Sequence, residues 1–302
     1  MDLFIFTIIQ KNSIMLKNLC YVLIINLCTA GIMRGQPGPY HTLGPENGHL
    51  IIAGGNLRDT SVFNLFLRLA GGPEEAVVII PTAADDRFFE EDSALIRLEK
   101  RYHRLGFQNI TLLHTRDRKE ADTRAFTEPL RTARGVWFPG GRQWRLADAY
   151  LNTLTHAELK NLLARGGVIG GSSAGATIQG SFLARGDTRA NTIMAGDHVE
   201  GLAFIQNVAI DQHLLARNRH FDMFEILEHC PGLLGIGLDE NTAIHVTGNT
   251  FRVIGQSYVA IYDRSRWSAE RDTTYQLPGD SKEFYFLRRG QKYDMRNRAI
   301  LR

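Results

Sequence analysis

Residues 166–177 read GGVIGGSSAGAT, an apolar pair and a glycine-rich turn placed directly before a segment that can start a helix. Within this stretch, residues 171–175 match G-x-S-x-G with Ser173 at the centre. In that pattern the serine occupies a strained turn between a strand and a helix, and the flanking glycines are needed because a Cβ would clash there. The stretch therefore predicts Ser173 as a nucleophile, with the N–H of Ala174 facing an oxyanion. A glycine-rich phosphate cradle is the alternative, but the chain contains neither G-x-x-x-x-G-K-[ST] nor G-x-G-x-x-G.

Short apolar runs alternate with helical patterns on both sides of this motif. Helical patterns are expected at 62–69, around 92–105 and around 143–164. Near-continuous apolar runs indicate strands covered on both faces, so we expect an α/β fold with a mostly parallel sheet flanked by helices. The last runs are closely spaced around Gly248 and Asn249 and predict an antiparallel edge. The apolar runs lie at 49–53, 76–83, 109–115, 135–141, 204–210, 233–238, 242–255 and 257–263.

The N-terminal segment has the pattern of an export signal. The apolar run LCYVLIINLCTAGIM at 19–33 follows Lys17 and is shorter than the ~18–20 residues that a spanning helix needs. We predict that residues 1–34 are a cleaved signal peptide whose natural start is Met1 or Met15. The Pro/Gly-rich residues 35–47 are then a linker, and 48–302 form one domain of a secreted or periplasmic protein with no stable membrane association after processing. A buried N-terminal helix is the alternative.

Composition describes a folded globular chain with little net charge. The chain has 302 residues, is 44% hydrophobic and carries a formal charge of +3. Much of that charge lies in the predicted leader, because 32 basic and 31 acidic side chains remain after residue 34. Such a balance gives no electrostatic reason to expect nucleic acid or an anionic membrane as a partner.

A base and an acid follow later apolar runs. His213 comes directly after such a run in Asp211-Gln212-His213, at a strand's carboxyl end, where open α/β sheets place their sites. Asp239 and Glu240 follow LLGIGL in the same way, and an acid there could hold His213 in the correct tautomer. A solvated helix start is the alternative for this acid pair. No H-E-x-x-H or C-x-x-C is present, so we expect no metal and no cofactor.

Four ordered motifs resemble the cyanophycinase-like serine peptidases of family S51, which also include peptidase E. They are FPGGRQ at 138–143, GGSSAGA at 170–176, DQH at 211–213 and GIGLDE at 235–240. The resemblance implies a three-layer fold like that of class I glutamine amidotransferases. It also implies Ser173 as nucleophile, His213 as general base and Glu240 as orienting acid.

Further site residues follow from the same resemblance. It implies oxyanion-hole amides at Gly140, Gly141 and Ala174, and a substrate pocket lined by Gln143, Gln212 and Arg217. The implied substrate is cyanophycin or a similar peptide, cleaved next to aspartyl residues, and the implied assembly is a homodimer.

Two residues depart from the family's pattern. Arg142 stands where cyanophycinases carry an acidic residue, and Ser172 replaces the commoner Thr beside the nucleophile. A cation at 142 would disfavour an arginine side chain of the substrate and favour a carboxylate. In peptidase E the triad acid lies between serine and histidine in the sequence, which here would be Asp187 or Asp197.

Two other classes of function fit the sequence less well. An α/β-hydrolase esterase shares G-x-S-x-G, but only 40 residues separate Ser173 from His213, too few for the further βα units of that fold. A non-catalytic exported binding protein on the same scaffold predicts a broken triad, whereas all three residue types are present.

Overall fold

The computed structural model describes residues 41–91, 93–263 and 284–301. The predicted signal peptide at 1–34 and residues 35–40 of the predicted linker lie outside the described residues. The strands are β1 (His49–Ala53), β2 (Val77–Ile79), β3 (Ile110–Leu112), β4 (Gly135–Phe138), β5 (Val168–Ser172), β6 (Val208–Gln212), β7 (Leu234–Leu238), β8 (Thr242–Thr247), β9 (Thr250–Gly255), β10 (Tyr258–Asp263), β11 (Phe284–Arg288), β12 (Lys292–Asp294) and β13 (Ala299–Leu301). The helices are α1 (Thr60–Ala70), α2 (Asp86–Glu90), α3 (Ala94–Arg104), α4 (Arg118–Ala121), α5 (Arg124–Thr132), α6 (Trp144–Tyr150), α7 (Leu154–Ala164), α8 (Ala174–Thr177) and α9 (Met223–His229).

A nine-stranded sheet forms the centre of the fold. Its order is β13-β12-β9-β8-β1-β5-β4-β2-β3. The strands from β1 to β3 in this order pair in parallel, and those from β1 to β13 pair antiparallel. The predicted α/β class with parallel strands between helices is confirmed, and the antiparallel part is larger than the predicted edge.

Alternate residues of β1 pack into hydrophobic cores on opposite faces of this sheet. Leu50 and Ile52 pack in one apolar cluster, whereas Ile51 and Ala53 pack in the other with side chains of α1. A strand buried on both faces reads as a continuous apolar run, which is why His49–Ala53 carries no polar alternation. The result is a sheet between two helical layers.

A second sheet of four strands has the order β11-β10-β7-β6. The sequence predicted a single, mostly parallel sheet, whereas β6 and β7 lie outside the main one. They cannot join it beside β1, because β8 already pairs with that edge of β1 from Leu50–Val246 to Ala53–Ala243. Instead β6 and β7 pair in parallel with each other and build the second sheet.

Two helical predictions are refined. α1 begins after Asp59, whose side chain accepts from the N–H of Ser61 as an N-cap. The pattern at 143–164 forms two helices rather than one, because Asn152 adopts a φ of 58° between them. Among the described residues, no helix has both the length and the apolar character needed to cross a bilayer.

The carboxyl ends of five strands converge on one region. Gly54 follows β1, Gly140 follows β4 and Ser173 follows β5, all in the main sheet. His213 follows β6, and Glu240 lies just beyond β7, both in the second sheet. The region where these residues meet therefore lies at the junction of the two sheets.

Candidate active site

Ser173 lies on the tight turn between β5 and α8. Its backbone has φ 57° and ψ −116°, a region that a non-glycine residue rarely enters. A Cβ on Gly171 would lie 2.6 Å from the carbonyl carbon of Gly175, and one on Gly175 would lie 2.7 Å from that of Phe138. Both glycines are thus required for the chain to bend so closely, and the bend presents the serine hydroxyl at the end of the sheet.

His213 points its ring at this hydroxyl. Its Nε2 lies 2.9 Å from Oγ of Ser173. The residue has φ 53°, and its N–H donates to the carbonyl of Gly54 across the junction between the sheets. A Cβ on Gly55 would lie 2.7 Å from Nε2, so the absence of a side chain at 55 makes room for the ring.

Glu240 completes a line of three side chains. Its Oε1 lies 2.6 Å from Nδ1 of His213, and its Oε2 accepts from Nδ2 of Asn56 at 2.7 Å. The hydrogen bonds from Asn56 and His213 lower the pKa of Glu240, which is therefore ionised at neutral pH. An ionised carboxylate only accepts, so Nδ1 of His213 carries the proton and Nε2 is left to accept from Ser173.

The ring of His213 is neutral at physiological pH. Burial lowers the pKa of His213 below its ordinary value, and the charges of Arg217 and Arg219 act in the same direction. The hydrogen bond to Glu240 raises the pKa but does not reverse the shift. A neutral imidazole held against a hydroxyl is competent to accept its proton.

The other acids that the sequence offered have different contacts. Asp239 accepts from the N–H groups of Leu215 and Ala216 and so holds the turn that follows His213. Asp187 accepts from the side chain of Arg189 and from two backbone N–H groups of its own loop.

The carboxylate of Asp197 is also engaged away from the histidine. It accepts from the N–H and the hydroxyl of Thr188, and it pairs with His198. Within residues 41–91, 93–263 and 284–301, Glu240 is the acid in contact with His213. The geometry thus favours the later acid over the peptidase E arrangement.

The residues predicted to supply oxyanion amides follow β4 and β5. A Cβ on Gly140 would lie 3.6 Å from Oγ of Ser173, so the Gly140 backbone passes directly beside the hydroxyl. Gly141 has φ +147° and packs against the carbonyl of Ala83. Ala174 is the first residue of α8, and the first N–H groups of a helix have no intrahelical acceptor. The Gly140 backbone and the start of α8 thus lie next to Ser173, and the N–H groups of Gly140, Gly141 and Ala174 stay a prediction as oxyanion donors.

Two predicted pocket residues lie close to the serine or to its histidine. Gln212 is buried, with Oε1 3.5 Å from Oγ of Ser173 and 3.2 Å from Nη1 of Arg219. Arg217 is exposed on the turn after His213, and its charge lowers the pKa of both His213 and Glu240.

The two predicted residues at 142 and 143 have structural contacts. Arg142 is half-buried, and its Nη2 donates to the carbonyl of Asp187. The side chain of Gln143 is fully buried, and its Nε2 donates to the carbonyls of Ala184 and Arg185. Gln143 therefore holds the loop that contains Arg185, while its Oε1 is buried and has no partner among the described residues.

Some residues of the site were not predicted. Arg185 is almost fully buried and forms a two-pronged ion pair with Asp211, the residue two before the histidine. Nothing in the sequence around Arg185 points to this pairing. Asn56, in contrast, follows the carboxyl end of β1, the same signal that identified His213, and could have been found in that way.

Metal ligation has no support in the described part of the chain. No group of three or more His, Cys, Asp or Glu side chains there is arranged to hold an ion. Both ring nitrogens of His213 are already engaged by Ser173 and Glu240.

The chain is similar to known peptidases in sequence and in fold. The model of peptidase family S51 matches residues 49–254. A cyanophycinase of Synechococcus elongatus is 28% identical over 253 residues, which cover 81% of this chain and 77% of that protein. The crystal structure of a peptidase from an acI-B1 Actinobacterium has a TM-score of 0.60 at 22% identity, covering 84% of this chain and 98% of that one. A candidate peptidase E of Listeria monocytogenes has a TM-score of 0.50 at 18% identity, covering 70% and 99% respectively.

Proposed function

This chain belongs to peptidase family S51, and on that premise we propose that it is a serine peptidase that hydrolyses peptide or isopeptide bonds next to aspartyl residues. The observation that carries the proposal is the line from Oγ of Ser173 through both nitrogens of His213 to Glu240, with contacts of 2.9 and 2.6 Å. A nucleophile, a base and an orienting acid in hydrogen-bond contact are the requirements of acyl transfer.

The first half of the reaction forms an acyl-enzyme. Oγ of Ser173 attacks the scissile carbonyl carbon while Nε2 of His213 takes the hydroxyl proton. The carbonyl oxygen becomes an oxyanion that accepts from the backbone N–H groups of Gly140, Gly141 and Ala174. The tetrahedral intermediate collapses, the C–N bond breaks, and the imidazolium gives its proton to the leaving amine.

The second half hydrolyses the ester. Water attacks the acyl carbon as Nε2 of His213 takes one of its protons, and the C–O bond to Ser173 then breaks. The proton returns to Oγ, and a carboxylic acid leaves. Glu240 keeps its charge throughout and stabilises the imidazolium that forms in each half.

A carboxylate-bearing substrate fits the charges around the serine. Arg217 acts electrostatically on both His213 and Glu240, and Arg142 follows the oxyanion glycines directly. Aspartyl peptides supply such a carboxylate. Our preferred substrate is cyanophycin, cleaved to β-Asp-Arg dipeptides, and the similarity to cyanophycinases supports this choice. The alternative is an Asp-specific dipeptidase like peptidase E, which the cation at 142 favours because it repels a substrate arginine.

The nucleophile is tested with a fluorophosphonate probe. Ser173→Ala is expected to abolish labelling and hydrolysis with the fold intact, because loss of a triad member costs orders of magnitude in rate. Ser172→Ala is the matched control and should label at nearly the parental rate. Equal labelling of the parent and Ser173→Ala would reject the assignment, and an unlabelled parent would favour a non-catalytic binding protein.

The substrate is tested by product mass. Purified protein is incubated separately with cyanophycin and with Asp-Xaa dipeptides, and the products are identified by mass spectrometry. Release of β-Asp-Arg from cyanophycin supports the first substrate. Cleavage of the dipeptides alone supports the peptidase E-like alternative.

Export and self-association are further parts of the proposal. The apolar run at 19–33 behind Lys17 supports removal of a leader, so the N-terminus of protein isolated from its native cell should lie between about residues 30 and 40. An N-terminus at 15–30 would contradict cleavage. The resemblance to cyanophycinase-like enzymes supports a homodimer, and light scattering should return twice the mass of the processed chain.

A further inference from the structure

Asn56 lies in the loop that leaves β1 at the junction of the two sheets. Its Nδ2 donates to Oε2 of Glu240 at 2.7 Å. Its backbone has φ 43°, in the left-handed region that Asn enters more readily than most residues. The loop is fixed before Asn56, because the Gly54 carbonyl accepts from His213 and the Gly55 carbonyl accepts from Asn241. It is fixed after Asn56 as well, because the N–H groups of Arg58 and Asp59 donate to Oδ1 of Asn241.

We propose that Asn56 is the fourth member of the catalytic line, a positioning residue that fixes which oxygen of Glu240 faces His213. The inference rests on the proposed function, in which Glu240 orients the base. With Oε2 held by the amide, Oε1 is left as the acceptor for the proton on Nδ1 of His213.

Water competes with the Asn56 amide for the carboxylate of Glu240, so a fixed donor is needed to hold that carboxylate in place. The side chain of Glu240 is 26% exposed, so water can reach it. Without a fixed donor, the carboxylate can rotate toward solvent and lose the 2.6 Å contact with the ring. The side-chain amide of Asn56, on the loop that leaves β1, prevents that rotation. It also links Glu240, which follows β7 of the second sheet, to the main sheet.

Asn56 also affects the charge balance around His213. The charged groups that face this histidine are Glu240, Arg217 and Arg219. Hydrogen bonding from Asn56 is the largest of the influences that lower the pKa of Glu240. Loss of the donor should raise that pKa, and an added carboxylate at 56 should raise the pKa of His213 as well. Both effects move the acidic limb of activity to higher pH.

Two substitutions suit the backbone at this position. Asn56→Asp keeps the shape and the tolerance of positive φ but replaces the donor with an acceptor, and Asn56→Gly removes the side chain without strain. The matched control is Asn297, whose Nδ2 donates to Oδ2 of Asp294 at the same 2.7 Å on the exposed surface of the β12–β13 turn. Asn297→Asp and Asn297→Gly therefore repeat both changes away from the site.

The first readout is the rate of fluorophosphonate labelling of the full chain against pH. We expect both Asn56 variants to react about tenfold more slowly at pH 7, as for loss of a hydrogen bond to a charged group. In Asn56→Asp the acidic limb should move up by about half a unit or more. Both Asn297 variants should keep the parental labelling rate and the parental pH dependence.

The second readout does not depend on catalysis. The titration of His213 in histidine-labelled protein, assigned with His213→Ala, should move upward in Asn56→Asp and stay in place in Asn297→Asp. Parental behaviour of both Asn56 variants in both readouts would overturn the proposal. So would a rate loss confined to Asn56→Asp, or a loss without any change in pH dependence, which would indicate a merely structural role. If no variant or parent reacts with the probe, the proposed function fails, while the titration still decides whether Asn56 acts on the line.

Discussion

Gly55→Ala is the substitution for which the structure gives the sharpest expectation. The added Cβ would lie 2.7 Å from Nε2 and 3.0 Å from Nδ1 of His213. Ordinary contacts of this kind are about 3.5–4.0 Å, so the ring has to move by about 1 Å. A shift of that size cannot preserve both the 2.9 Å contact with Ser173 and the 2.6 Å contact with Glu240.

The expected loss has two separable parts. Gly55 has φ +116°, so alanine there also strains the backbone, at a cost of about 1–3 kcal/mol of stability. Misplacement of a catalytic group by about 1 Å can lower activity by about 100-fold, equivalent to about 2.7 kcal/mol of transition-state stabilisation. The first part should appear as a melting temperature lower by a few degrees, and the second as a loss in kcat/KM.

Gly72→Ala separates these parts. Gly72 has φ +133°, but a Cβ there meets nothing within 4 Å. Both variants should lose similar stability in thermal unfolding, while only Gly55→Ala should lose hydrolysis and fluorophosphonate labelling. Parental kcat/KM in a folded Gly55→Ala protein would refute the placement of the ring, and an equal activity loss in Gly72→Ala would show that general destabilisation is responsible.

Three other outcomes follow from the same geometry. Glu240→Gln should lower kcat by about 10³- to 10⁴-fold with little change in KM, while Asp197→Asn should leave kcat nearly unchanged. A large loss of kcat in Asp197→Asn with a small one in Glu240→Gln would assign the triad acid to Asp197. Burial lowers the pKa of His213 below its ordinary 6.5, and the base must be neutral to accept a proton. We therefore expect kcat/KM to fall as the pH drops through a midpoint below 6.5. A midpoint above pH 7 would contradict this expectation. Asp211→Asn should cost about 3–5 kcal/mol in denaturant unfolding, because Arg185 is left as a buried cation with its main partner removed; a cost under about 1 kcal/mol would show that the pair is dispensable.

The strands and the three catalytic candidates could be predicted because each leaves a local mark in the sequence. Doubly covered strands are continuous apolar runs, and a glycine before and after Ser173 marks the strained turn. His213 and Glu240 each follow such a run, and the carboxyl ends of parallel strands meet at one edge. These signals need only a few neighbouring residues to be read.

Other features depend on contacts between distant segments. β6 and β7 are apolar runs like the others, and their separate sheet follows from the pairing of β8 with β1. Gln143 carries no mark that distinguishes a pocket amide from one that donates to a buried loop 41 residues away. The pairing of Arg185 with Asp211 likewise becomes visible only when the chain is folded.

The division of the catalytic line between two sheets makes activity a measure of how those sheets are aligned. Ser173 moves with β5, whereas His213 and Glu240 move with β6 and β7. A slide of one sheet against the other by a fraction of an ångström would separate base from nucleophile while every strand kept its own hydrogen bonds. On gentle heating, hydrolysis should therefore be lost at a lower temperature than the secondary structure that circular dichroism measures.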